Sequence, residues 1–174
     1  MTPAPNATAP KERENFLKFE ACPKDGSQVA IFVGSNFHET WTTFDGDEKT
    51  NGVELFFAVE QNGQFYFVKT NIGANSTDDR SKTYNTYLAA TGNPLTPAES
   101  IQDAVGKPVI LNLKTEHKTS KKGNEYSITK LVGNPMQVME GMPTPDSLAA
   151  QAAFESEIAR QESGDEGAGD EPPF

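Results

Sequence analysis

The chain has 174 residues, of which 35% are hydrophobic and 23% charged, and its formal net charge is −10. That length holds one domain of ordinary size plus tails, and the low apolar share leaves part of the chain outside the core. A single cysteine, Cys22, excludes an internal disulfide and fits a reducing cytoplasm, while the lack of any apolar run near ~18 residues excludes a membrane-spanning helix.

The opening "MTPAPNATAP" has three prolines and neither the basic nor the apolar region of a secretory signal, so residues 1–14 read as a flexible arm of a protein that is not exported. "NFLKFEAC" follows as a short strand. The run from Ser27 to Phe44, rich in β-branched and aromatic residues, reads as one long strand, with Gly34 marking a bulge or sharp bend. "DGDEKTNG" is a polar loop. The segments on either side of "QNGQ" alternate with period two, and Asn62 and Gly63 suit a type I′ turn, which predicts a hairpin.

A short helix is predicted from Ser81 to Ala90, where Tyr84, Tyr87 and Leu88 fall at helical spacing and Gly92 stops the turn. A second is predicted in "TPAESIQDAV", with Thr96 as N-cap, Pro97 at the first position and Glu99 completing a capping box. "PVILNLKTEHK" and "NEYSITKLV" form the last hairpin around "TSKKG". Further on, "TPDSLAAQAAFESEIARQ" aligns Ala150, Phe154 and Ile158 on one helical stripe, within a linker spanning residues 136–162. Residues 163–174 are read as a disordered acidic tail.

A long bent first strand and a helical insert between strands three and four match the connectivity of a five-stranded OB-fold barrel, so the expected class is mainly β, with that barrel over residues 15–135. The hairpin register separates two faces. Val53, Leu55, Phe57, Val59, Tyr66, Val68, Thr70 and Ile72 share the core side, and Glu54, Phe56, Ala58, Glu60, Phe65, Phe67 and Lys69 share the other. Three phenylalanines on an outer face call for a cover or a ligand, the cover being the N-terminal arm, a sheet partner or a dimer mate.

On this fold class that outer face binds oligonucleotides by stacking bases on rings while ammonium groups follow the phosphates. The expected DNA-binding residues are therefore Phe56, Phe65, Phe67 and Lys69, with Trp41 beside Phe37 as a further ring surface and Lys118, Lys121 and Lys122 in the last hairpin. The charge distribution allows this. Residues 1–135 carry 14 Lys and Arg against 16 Asp and Glu, whereas residues 136–174 carry 1 against 9, and residues 105–133 hold six lysines against Glu116 and Glu125. His38 and His117 lie far apart without metal-ligand spacing, "DGDEKTNG" breaks the EF-hand pattern, and no phosphate loop or nucleophile elbow occurs, so no metal, cofactor or enzymatic activity is expected. Two alternatives stay open: a protein-interaction adaptor using the same phenylalanine face, and a nuclease built on Asp45, Asp47 and Glu48.

The ending "GDEPPF" resembles the C-terminal tip of bacterial single-stranded DNA-binding proteins. Asp170 and Glu171 match its acidic part, Pro173 and Phe174 its last two positions, and Pro172 stands where the family has an aliphatic residue. The body is more similar to a divergent phage-encoded protein of that role. The resemblance implies sequence-tolerant binding and protection of single-stranded DNA in a bacterial or phage-infected cytoplasm. It also implies that replication, recombination or repair proteins are recruited by Asp170, Glu171, Pro172, Pro173 and Phe174, and it leaves room for a homo-oligomer.

Overall fold

A computed structural model of the chain describes residues 17–43 and 45–163. The expected N-terminal arm, Phe44 at the end of the expected long strand, and Asp170 to Phe174, the expected partner-binding residues, lie outside that range. The described residues are mainly β: β1 (Gly26–Thr42), β2 (Glu48–Gln61), β3 (Gln64–Lys69), a two-residue β4 (Gly73–Ala74), β5 (Pro108–Thr119) and β6 (Glu125–Leu131). Two α-helices, α1 (Lys82–Thr91) and α2 (Ser147–Ser163), and a 3-10 helix at Ile101–Ala104 complete them. All strand pairs are antiparallel in the order β3-β2-β1-β5-β6, and β4 adds to β2.

The hairpin register is the expected one. Gln61 opposes Gln64, Val59 opposes Tyr66 and Phe57 opposes Val68, around a turn in which Asn62 (φ 54°) and Gly63 (φ 76°) both take the left-handed conformation that type I′ requires. In β1 the register against β2 shifts between Phe32 and Gly34, which places the irregularity at the predicted glycine. Val33 is the extra residue. Before it, β1 pairs with both β2 and β5; beyond it the strand continues only with β2, whose other edge carries β4 at Gly52 and Val53 before the β1–β2 arm runs on alone.

The inner core gathers Leu55, Phe57, Val59, Val68, Leu111 and Phe32, closed on one side by Tyr87 of α1 and by Ile101 and Ala104. The Ser81 hydroxyl caps α1 by accepting from the Tyr84 amide, and Gly92 ends it at φ 77°. Within α1, Leu88 faces solvent; Thr83, Thr86 and Tyr87 are the buried side. The second predicted helix shortens to the 3-10 turn, because the capping box forms at Ser100 and Asp103. The Thr96 hydroxyl instead spends itself on the Glu99 carboxylate.

The expected short strand at "NFLKFEAC" is also corrected, since residues 17–25 join no ladder. Their backbone bonds go to side chains: the Lys18 N–H and C=O to Gln161, the Cys22 N–H to Thr129, and the Lys24 N–H and C=O to Gln61. The C-terminal stripe forms as predicted, with Ala150, Phe154 and Ile158 the buried residues of α2. Asp146 caps it, its carboxylate accepting from the Ala149 amide at 3.1 Å. The helix is not a free linker, because it packs on the outer face of β1 and β2.

Candidate nucleic-acid interface

The outer face of the first hairpin divides into a covered part and an open part. Phe56, Ala58, Ile31 and Val33 form a second apolar cluster with Leu17, Ala150, Phe154 and Ile158, and Phe19, Phe65 and Phe67 lie at its margin. Phe56 is only 2% exposed, with the Phe154 ring centroid 5.3 Å away and the Phe19 ring edge-on at 6.1 Å. A ring so enclosed offers no face to a base while α2 is seated. The cause of this burial is the stripe on α2 meeting three rings that would otherwise face water. Phe65 and Phe67 keep partial exposure.

Where α2 ends, a groove of about 400 Å³ opens between β3 and β6. No backbone ladder joins these two strands among the described residues; the gap is lined instead by Phe67 and Lys69 of β3, by Tyr126, Ile128 and Lys130 of β6, and by Leu17 to Glu20 along one wall. Alternation explains the β6 contribution: Thr129 and Leu131 turn toward the inner core, so Tyr126, Ile128 and Lys130 turn outward. That period-two pattern in "EYSITKL" was readable, yet these three residues, together with Lys18 and Phe19, were not among the expected site residues.

Two of the groove's lysines, Lys69 and Lys130, are paired with a carboxylate. Lys69 Nζ lies 3.4 Å from Glu54 Oε2, and the other oxygen of that buried carboxylate meets His38 Nε2 at 2.8 Å and the Asn36 amide at 3.3 Å. This polar cluster explains how Glu54 is tolerated at 5% exposure. Lys130 Nζ lies 3.1 Å from Glu116, and that hydrogen bond holds the Lys130 amine more basic than usual and the exposed Glu116 carboxyl more acidic. Burial and the nearby Lys69 charge make the Lys18 amine less basic than an ordinary lysine. Three lysines and three carboxylates thus meet at the groove walls, with Lys69 paired to Glu54 and Lys130 to Glu116.

The other expected residues fall around this groove or away from it. Lys118 borders a second hollow shared with His117, Glu125 and Tyr126, so Tyr126 connects the two. Lys121 and Lys122 stand exposed at the β5–β6 turn. Trp41 lies elsewhere, half-buried toward the end of the β1–β2 arm. A Cβ on Gly52 would come within 2.6 Å of the Trp41 ring and 2.8 Å of Ile72, so glycine is what lets the indole lie on β2. Among the described residues, no group of three or more His, Cys, Asp or Glu stands close enough to hold a metal ion, and no helix is long and apolar enough to cross a membrane.

Comparison with known proteins yields no match to a family model, a curated protein or a solved structure. Fold and site together define a small, mainly β protein with an open antiparallel sheet, one aromatic face roofed by its own helix, and a lysine-flanked aromatic groove at the seam.

Proposed function

We propose that the protein binds single-stranded DNA with little sequence preference, and that the surface is the groove between β3 and β6 continued over the β5–β6 hairpin. The observation that carries this reading is the meeting of Phe67 and Tyr126 with Lys18, Lys69 and Lys130 around one cleft. Flat rings accept any base, and ammonium groups at the rim follow the backbone of an unpaired strand. A duplex has its bases already stacked and offers no ring to such a cleft.

The proposal includes the OB-fold: strand order β3-β2-β1-β5-β6 with helices between β4 and β5 suits that connectivity, with β3 and β6 as the edges that nearly meet. It also includes a non-enzymatic, cofactor-free role in replication, recombination or repair within a bacterial or phage-infected cytoplasm. In that role Asp170, Glu171, Pro172, Pro173 and Phe174 recruit partner proteins, the ring entering an apolar pocket and the carboxylate meeting a basic side chain.

Fluorescence anisotropy of a labelled oligo-dT, across a salt series and against a duplex of equal length, tests the reading. Binding should weaken with salt. The double variant Lys69→Ala with Lys130→Ala should lower the log–log salt slope by about 1.4, from two lost phosphate contacts at ~0.7 each. Absence of binding to any single strand at low salt overturns it; capture of a protein on the same surface would then favour the adaptor.

A further inference from the structure

Building on the nucleic-acid reading, we infer that α2 and the segment 17–20 form a releasable cover over a second part of the binding surface, and that a single strand filling the groove displaces it. The covered surface is Phe56, Phe65 and the far side of Phe67, contiguous with the groove through Phe67 and Lys69. Its ligand is the same single strand, extended by further bases.

Two links join cover and groove. The first is the Phe67 ring, which lines the groove yet lies between Phe19 at 5.7 Å and Phe154 at 5.5 Å. A base stacking on Phe67 competes with those rings for its faces. The second is Lys18, which forms part of the groove wall while its N–H and C=O are both held by the Gln161 amide of α2, at 3.1 and 2.8 Å. Pressure on that wall is therefore pressure on the last turns of the helix.

The cover is also lightly attached. One stripe of three residues enters the outer cluster, whereas Leu148 stays 79% exposed. At its start the Ser147 hydroxyl donates to the Gly106 carbonyl at 2.5 Å, and at its end stands the Gln161 pair. Between β6 and α2, residues 132–146 contain no helix or strand; the start of this connection is held by the Val132 N–H on the Asn112 carbonyl, by Lys82 donating to the Gly133 carbonyl and by the Met136 bridge to Ile110, and Met136 and Met139 are largely exposed. With Met136 left on its bridge, the ten residues 137–146 still reach about 35 Å when extended, enough for the helix to leave without disturbing the sheet. Elements with few buried apolar contacts open at lower free energy than the core.

Hydrogen exchange of the unmodified chain, with and without saturating oligo-dT and with binding followed in the same samples, tests the cover. Amides of residues 147–163 should exchange at least ~10-fold faster with the strand bound, while those of Leu55 to Val59 stay unchanged. As a second measurement, Ala150→Cys in a Cys22→Ala background places a thiol at a fully buried position of the stripe. Its alkylation should accelerate on adding oligo-dT. Bound oligo-dT with unchanged or slower exchange in 147–163 overturns the cover and leaves the nucleic-acid reading standing. Failure of oligo-dT to bind removes that reading and the cover with it.

Discussion

Both faces of the β2–β3 hairpin carry large apolar side chains, and they bury them by different means. On the inner face, Leu55, Phe57, Val59 and Val68 are covered by the sheet curling over itself and by α1, so their partners arrive from several strands at once. The outer face of Phe56, Ala58, Phe65 and Phe67 depends on one helix and the segment beginning at Leu17. Burial alone therefore does not separate core from site. What separates them is how many independent elements must move before water or a ligand reaches the rings.

The largest expected difference is in stability. Phe57→Ala should cost about 3–5 kcal/mol in denaturant unfolding, because a fully buried ring leaves a cavity that a sheet interior closes poorly. Phe154→Ala removes the central anchor of α2 and should cost less, about 2 kcal/mol, with hydrogen-exchange protection lost in α2 but kept in β1 and β2. Equal global losses for the two substitutions would erase the distinction between the faces.

Next in size is a loss confined to binding. Tyr126→Ala should weaken oligo-dT affinity by roughly 1–2 kcal/mol, about tenfold, and leave the unfolding midpoint nearly unchanged, since the ring stands at the groove rather than in either cluster. Unaltered affinity would move the stacking surface away from β6.

The smallest effect belongs to the inner face and appears as pH dependence. Cys22 packs with the inner cluster, and burial pushes its thiol up to about 11. The unfolded thiol therefore ionises first. Stability contributed by the neutral thiol is intact below about pH 8.5 and is lost as pH rises toward about 11, a decline that Cys22→Ala should abolish. An alkaline decline that persists in the variant would assign it to other groups.

Local chemistry was the legible part of this molecule. The I′ turn at Asn62 and Gly63, the bulge beside Gly34, the Ser81 to Gly92 helix and the α2 stripe each depend on residues within a few positions of one another, and all formed where expected. The misses were contests between nearby equals. Thr96 and Ser100 both suit an N-cap, and packing of Ile101 and Ala104 into the core selected Ser100. The segment at Leu17 has strand composition, but Gln161, Thr129 and Gln61 supplied its hydrogen bonds in place of a neighbouring strand.

The site was half legible for the same reason. Alternation by itself determined that Phe56, Phe65, Phe67 and Lys69 share a face, because side chains on a strand alternate whatever lies around them. What covers that face was settled only in three dimensions, where α2, separated by some ninety residues in sequence, places Phe154 on Phe56. The tertiary structure likewise decided that Tyr126 and Lys130 stand opposite Phe67 and Lys69, since β3 and β6 meet only through the path β2, β1 and β5. Periodicity is a property of one segment, whereas a groove belongs to two segments that sequence distance does not relate.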